Sequence, residues 1–262
     1  MHAAEREQVI LQLLQQRGFV AFQELDNQLD ASPATLRRDL DKLEGSGRIV
    51  RVRGGARLAE PRSANDGDVQ HLRGIPFHQN IARNTDAKRA IGRAAAALCR
   101  PRESVIIDGG STTLQMCGHL DALELQVLSN SLHIINALLT QPSTRIAIPA
   151  GTVFREQNIV LSPFDDDGMS SYRASRMFMG AAAVGRHGVM QTDLVLAQAE
   201  RRLLARSDEL ILLVDSSKFE APAGHVVCAL EEVDTVVTDA SIRPEHARLL
   251  KDVGVNLIVA KR

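Results

Sequence analysis

Tryptophan is absent from this chain of 262 residues, and with seven phenylalanines and one tyrosine the aromatics reach only 3%. That scarcity argues against the aromatic stacking platforms used to hold single-stranded nucleic acid. Cysteine is nearly as rare. Cys99, Cys117 and Cys228 are odd in number, far apart and never in a Cys-x-x-Cys spacing, so neither a disulfide framework nor a zinc knuckle is indicated. The eight histidines are equally scattered, and no metal or cofactor is expected. An excess of one charge is missing too. With 31 Lys+Arg against 32 Asp+Glu the net charge is −1, so no global field advertises a polyanionic partner, although that average can hide a local patch. No apolar run approaches the ~20 residues that span a bilayer, and no basic-apolar leader opens the sequence, which makes a cytoplasmic protein the expectation. What is present is ordinary. Hydrophobic residues at 44% and charged residues at 24% suit one large globular domain or two modest ones.

Residues 1–58 differ in pattern from the rest. Val9, Ile10, Leu13 and Leu14 form a helical apolar stripe stopped by Gly18. Phe22, Leu25 and Leu29 imply a second short helix after a brief turn. Ser32-Pro33 reads as an N-cap with proline at the first helical position, and Leu36, Leu40 and Leu43 give the third helix its buried face before Gly45 and Gly47. Val50-Arg51-Val52-Arg53 alternates with period two and runs into Gly54-Gly55, a two-stranded ribbon. Three short helices and a ribbon are the plan of a winged helix-turn-helix.

Residues 59–74 carry Pro61, Ser63, Asn65, Asp66, Gly67 and Asp68 and read as a linker. Residues 75–262 then alternate helical and strand-like segments. Helices are expected at 87–98, 112–120, 132–139, 194–205 and 244–250. Strands are expected at 105–107, 125–128, 145–148, 210–214, 235–237 and 255–259. The run Val105-Ile106-Ile107 is continuously apolar, as in a parallel sheet covered on both faces. The fold class is α/β, with a winged helix-turn-helix followed by a mostly parallel, layered domain. Residues 152–190 show no clear period.

With the leucines of the third helix turned inward, Ala34, Arg38 and Asp41 point outward, flanked by Thr35, Arg37 and Lys42. Short side chains near the start and cations further along suit a helix entered N-terminus first into the major groove of double-stranded DNA. Arginine there can bind guanine O6 and N7 bidentately, while Ser32 or Thr35 reaches phosphate or base edges. Over 33–57, Arg37, Arg38, Lys42, Arg48, Arg51, Arg53 and Arg57 outnumber Asp39, Asp41 and Glu44, a surplus of about four positive charges in a chain of net −1. Each arginine alone is more simply a solvated side chain. Their coincidence with the three-helix spacing, the Ser-Pro start and the Arg-Gly-Gly turn favours DNA binding, with Gly54 and Gly55 in the wing. The strings Ser32-Pro-Ala-Thr-Leu-Arg-Arg-Asp-Leu40 and Arg51-Val-Arg-Gly-Gly-Ala56 resemble the winged helix of the DeoR family of bacterial repressors.

A second constellation lies at strand ends. Asp108-Gly109-Gly110-Ser111-Thr112-Thr113 follows an apolar strand and opens a helix. Its two glycines, free N–H groups and hydroxyls suit a phosphate monoester. The plainer alternative is a tight turn capped by Ser111, and with no Gly-Lys-Ser/Thr the segment is not a P-loop. Asp215-Ser-Ser-Lys218 follows another strand, where Lys218 offers a point charge and Asp215 a sugar contact, or the two form an ordinary surface pair. Ser129, Asn130 and Gly151 fall at further strand ends of the same crevice. Asp193 and Glu200, seven apart on one helix face, are candidates whose plainer roles are capping and solvation.

These features extend the resemblance over residues 5–240. The strings at 108–113 and 129–130, Phe178-Met-Gly180, Thr192-Asp193 with Ala199-Glu200, and Asp215-Ser-Ser-Lys218-Phe219 recur in order as in DeoR-family sensor domains. The resemblance implies a fold similar to ribose-5-phosphate isomerase, phosphorylated sugars or sugar acids as effectors, and phosphate and sugar contacts at 108–113 and Lys218. It also implies a homo-oligomer, dimer or tetramer, that represses a carbohydrate operon and releases its operator on binding effector. Leu161-Ser-Pro163 with Met177-Phe178 is similar to the subgroup that includes the ascorbate-utilisation repressors, which makes L-ascorbate 6-phosphate a candidate effector.

Two other readings remain. A sugar-phosphate isomerase with a DNA-binding appendage needs a carboxylate over the sugar carbon. The family's usual Ala-Asp-Gly is here Gly180-Ala181-Ala182-Ala183, which removes the natural position for that base. No catalytic triad or metal-ligand pattern is visible. A DNA binder without a small ligand is the third reading.

Overall fold

Leu36, Leu40 and Leu43 recur at helical spacing, and in the computed structural model all three are buried on one side of a helix, as the spacing predicts. Described are residues 3–17, 19–29, 31–45, 48–52, 55–58, 74–162 and 167–261. The chain divides into two compact units, 1–69 and 70–262. The segment 59–73 of the expected linker lies outside the described residues, as do Gly18, Gly47, Arg53 and Gly54.

The first unit runs α1 (Ala3–Arg17), β1 (Phe19–Ala21), α2 (Phe22–Gln28), α3 (Pro33–Gly45), β2 (Ile49–Val52) and β3 (Gly55–Leu58). Its core joins Ile10, Leu14, Val20, Leu25, Leu29, Ile49 and Ala56 to the three leucines of α3. Truncating a leucine to alanine in such a core costs about 2–5 kcal/mol. One expectation is corrected. The ribbon has three strands, because β3 pairs antiparallel with both β2 and β1. A strand of three residues between two helices is too short to show a period of two.

The second unit begins with α4 (Phe77–Asn80), α5 (Thr85–Ala96), β4 (Ser104–Ile107), β5 (Gln126–Leu128), α6 (Leu132–Leu138) and β6 (Arg145–Ala147). The segment without a clear period holds β7 (Thr152–Phe154), β8 (Ile159–Leu161), β9 (Ala174–Met179), β10 (Ala183–Gly185) and β11 (Gly188–Gln191). Then follow α7 (Leu194–Leu204), β12 (Ser207–Leu213), β13 (His225–Cys228), β14 (Thr235–Asp239), α8 (Pro244–Asp252) and β15 (Asn256–Ala260). The expected helix at 112–120 is instead a 3-10 helix, Thr113–His119. It packs against α5 at Gly92, where a Cβ would lie 2.6 Å from the Gln115 carbonyl carbon.

Seven strands form one sheet in the order β15-β14-β12-β9-β4-β5-β6, each pair parallel. Side chains alternate across it. Ile106, Met177, Met179, Leu210, Leu212 and Val236 enter one core with Leu203 of α7 and Leu250 of α8. Val105, Ile107, Phe178, Ile211, Leu213 and Val237 enter the other with Ile91 of α5 and Ile134 of α6. Both faces are covered, which is why these strands read as unbroken apolar runs. Strand order reverses between β4 and β9: β5 and β6 lie to one side, β12, β14 and β15 to the other. At such a switch point the loops leaving the two strands diverge and open a crevice at their carboxyl ends.

Candidate functional site

The outer face of α3 presents exposed Ala34, Arg37 and Arg38. Ser32 acts first as the helix cap: its Oγ accepts from Thr35 N at 3.2 Å and lies 2.9 Å from Thr35 Oγ1. Both hydroxyls are therefore already engaged with one another. The exposed Arg37 places its guanidinium carbon 5.5 Å from the centre of the Phe22 ring, within cation–π range. The rest of the basic face is more neutralised than the sequence suggests. Lys42 Nζ bonds Glu7 Oε1 at 2.7 Å, Arg48 lies 3.6 Å from Glu7 Oε2, and Arg51 pairs with Asp41. Glu7 comes from α1, far away in sequence, so a count along 33–57 omits it. Asp39 of the Arg-Arg-Asp string is buried and takes Arg6 Nε at 2.7 Å, tying α1 to α3. Gly55 opens β3, and the side chain of Arg57 lies outside the described residues.

In the second unit the crevice at the β4/β9 switch is a cavity of 320 Å³. One wall is Gly109, Gly110, Ser111 and Thr112 after β4, another is Gly180, Ala181 and Ala182 after β9, and Lys218 also lines it. Lys218 is half-buried and has no ion-pair partner among the described residues. Five of the effector candidates, Gly109 to Thr112 and Lys218, are thus brought together. The glycines serve packing as much as ligand approach, since a Cβ on Gly109 would fall 2.7 Å from Ile159 Cγ2.

The other candidates hold the loop or lie elsewhere. Thr113 Oγ1 donates to the Asp108 carbonyl at 2.8 Å and is sealed from solvent. Ser129 Oγ donates to the Ile107 carbonyl at 2.7 Å, and Asn130 Oδ1 accepts from Gly109 N at 3.1 Å. Asp193 caps α7, accepting from Val195 N at 2.8 Å, so the plainer role prevails there. Gly151 packs against Leu161, and a Cβ there would meet the Leu161 carbonyl oxygen at 2.4 Å, away from the cavity wall. Asp215 lines a different cavity of 440 Å³ with Asn84 and Ser217, accepting from Asn84 Nδ2 at 2.9 Å. Asp108 and Glu200 lie beneath the wall, each 1% exposed. Burial pushes Asp108 up to about 6, and burial together with the Asp108 charge pushes Glu200 well above the carboxylate range.

Several wall residues escaped the sequence reading, among them Asn80, Gln157 and Gln191, while Thr192 entered it only within a resemblance string. Beneath Asn80 lies Lys88, only 1% exposed, its Nζ donating to the Asn80 carbonyl at 2.5 Å. Burial, against the opposing pull of Asp215, brings this lysine down to about 8. A lone lysine in an amphipathic helix gives no sequence signal of burial. Gln191, the last residue of β11, was recoverable only by seeing that β11 leads into the Thr192-Asp193 turn.

Comparison with known proteins covers both units. Residues 6–62 match the DeoR-like helix-turn-helix domain, and residues 83–240 match the DeoR C terminal sensor domain. The HTH-type transcriptional regulators UlaR of Shigella dysenteriae serotype 1 and of Escherichia coli O1:K1 / APEC are each 33% identical over 98% of this chain and 99% of their own length. Ribose 5-phosphate isomerase A of Methanocaldococcus jannaschii superposes with a TM-score of 0.40 at 16% identity, over 52% of this chain and 55% of that one. Among the described residues no helix is long and apolar enough to cross a membrane.

Proposed function

The chain belongs to the DeoR family of helix-turn-helix transcriptional regulators, and from that premise we propose that it represses a carbohydrate operon and leaves its operator when a phosphorylated sugar or sugar acid fills the 320 Å³ cavity. The observation that carries this reading is Lys218, a half-buried cation without an ion-pair partner among the described residues, on the wall of a cavity at the sheet's switch point. A phosphate supplies the charge that such a lysine lacks. The volume suits one small polyol phosphate and is at the low end of ligand sites.

The ligand is bound and not turned over. Gly180-Ala181-Ala182 puts no carboxylate on the wall, Asp108 and Glu200 are sealed from solvent, and Asp193 is engaged as the cap of α7. An isomerase needs a base within hydrogen-bond reach of the sugar carbon. On the DNA side, Arg37 and Arg38 read bases, with Ser32, Thr35 and Ala34 at the groove and Lys42, Arg51, Arg53 and Arg57 at phosphates. One winged helix reads a short site, so the working species is a cytoplasmic homo-oligomer joined through the second unit.

The test is a melting-temperature screen of the full chain against sugar phosphates, with L-ascorbate 6-phosphate first, followed by gel shifts with and without the hit. A ligand at 100 times its dissociation constant adds ~2.7 kcal/mol. A hit that leaves DNA binding unchanged, or that the protein converts to an isomer by carbon NMR, refutes the proposal. Sedimentation as a monomer at micromolar concentration refutes the oligomer.

A further inference from the structure

Gln191 sits on the cavity wall, and its Nε2 donates to Glu200 Oε1 at 2.7 Å. Its Oε1 takes no donor among the described residues. Glu200 does not line the cavity, and its other oxygen, Oε2, is sealed from solvent without a hydrogen-bonding donor, as are both oxygens of Asp108. The two carboxyls face one another. Two carboxylates cannot both stay ionised in such a place, so the pair keeps one proton. Glu200 is the one pushed well above its ordinary range, by burial first and by the Asp108 charge second. The shared hydrogen therefore lies between Glu200 Oε2 and Asp108, whose buried oxygens have no other hydrogen-bond partner. Glu200 Oε1 is then left as an acceptor, and of the two ends of the Gln191 amide only the N–H end can satisfy it, as it does at 2.7 Å. That prevents the Gln191 amide from flipping and leaves its oxygen as the atom offered to the cavity.

We propose that Gln191, held in one orientation by Glu200, makes the cavity select a ligand that offers a hydroxyl hydrogen at this wall. The inference rests on the cavity being the effector site and adds what the effector carries besides its anion. Gln191 touches the ligand; Glu200 is a positioning residue and Asp108 anchors it. A ligand with hydrogen replacing that hydroxyl leaves the Gln191 oxygen without a donor. Sites built to pair with a hydroxyl reject such analogues strongly.

The experiment uses the full chain and calorimetric titration with matched probes. These are ribose 5-phosphate against 2-deoxyribose 5-phosphate, and glucose 6-phosphate against its 2-deoxy and 1,5-anhydro forms. L-Ascorbate 6-phosphate and inorganic phosphate complete the set. The wild type should prefer its best sugar phosphate over a deoxy partner by about 5- to 150-fold, the cost of leaving the Gln191 oxygen without a donor. Gln191→Leu should erase that preference while leaving inorganic phosphate unaffected. Glu200→Gln keeps both a donor toward Asp108 and an acceptor toward Gln191, so it should retain the preference. Glu200→Leu should lose it, and the Gln191→Leu/Glu200→Leu double variant should be no worse than Gln191→Leu alone. If Glu200→Leu does not fold, Gln191→Leu and Glu200→Gln still decide. Folded Gln191→Leu with the preference intact overturns the inference, as does loss of it in Glu200→Gln. A wild type that binds no sugar phosphate overturns the effector reading itself.

Discussion

Replacing Lys218 by alanine removes the one cation on the cavity wall among the described residues and should uncouple the two units. The magnitude follows from its setting. Two unit charges ~4 Å apart at an effective dielectric of ~20 attract by ~4 kcal/mol. Lys218 is half-buried, so water screens part of that, and charge-assisted hydrogen bonds in such settings are worth about 1.5–3 kcal/mol. Lys218→Ala should therefore weaken a phosphorylated ligand by about 10- to 150-fold. In a melting assay the ligand concentration that stabilises wild type by ~2.7 kcal/mol would add only ~0.4 kcal/mol after a hundredfold loss. For a unit of this size that reduces a rise of about 5–11 °C to about 1–2 °C. Operator binding should survive, because Lys218 belongs to the second unit and the winged helix to the first. The variant would hold DNA at ligand concentrations that release wild type. Two results refute the reasoning: an unchanged ligand-induced melting shift, or an equal loss for the unphosphorylated sugar, which would mean that the lysine does not read the anion.

Arg38→Ala should cost about 1–3 kcal/mol of operator affinity through a lost guanine contact, and a footprint by the Arg37→Ala/Arg38→Ala protein indistinguishable from wild type would contradict that role. Asp41→Asn frees Arg51 from its exposed pair. It should tighten binding to an arbitrary duplex by up to about fivefold at low salt and steepen the salt dependence by about one counterion, read by fluorescence anisotropy. An unchanged slope counts against it. Lys88 gives up its proton near pH 8 when folded and at 10.5 when unfolded. Over that interval the unfolded chain binds the extra proton, so this group makes stability rise with pH, by at most ~1.4 kcal/mol per pH unit. Urea titrations should show a shallower rise for Lys88→Met, and identical slopes would show that burial does not lower this lysine.

The winged helix was legible because its signals are local. Ser32 before Pro33, and leucines at 36, 40 and 43, need no distant partner, and α3 forms where they place it. The strand β4 was legible for the same reason, an apolar run bounded by polar turns. The central strand β9 was not. Its sequence Ala-Ser-Arg-Met-Phe-Met carries Arg176 mid-strand, tolerable only because Glu209 meets its Nε at 2.8 Å and Glu103 meets its Nη1, from two other strands or their approaches. Missing β9 hid the strand-order reversal, so Gly180 to Ala182 came to the site by family resemblance and not from the topology that makes them a wall. Glu200 shows the same limit. Its spacing from Asp193 put both on one helical face, yet Asp193 turned back to cap α7 while Glu200 turned inward to a carboxyl that lies far from it in sequence.

Because every pairing in the large sheet is parallel, none of its strands can be joined by a tight hairpin, and the two that flank the crevice meet only through distant contacts, Val105 beside Arg176. The cavity wall draws on residues from Gly74 to Pro222. No contiguous fragment contains it, so the crevice comes into being late, after long loops have closed and at an entropic cost that slows folding. Ligand competence thus certifies that the unit has folded throughout. A nascent or clipped chain whose winged helix has already formed its local contacts would be deaf to the effector, and, if copies join through the second unit as proposed, a nick that unfolds this unit would cost operator affinity together with the response.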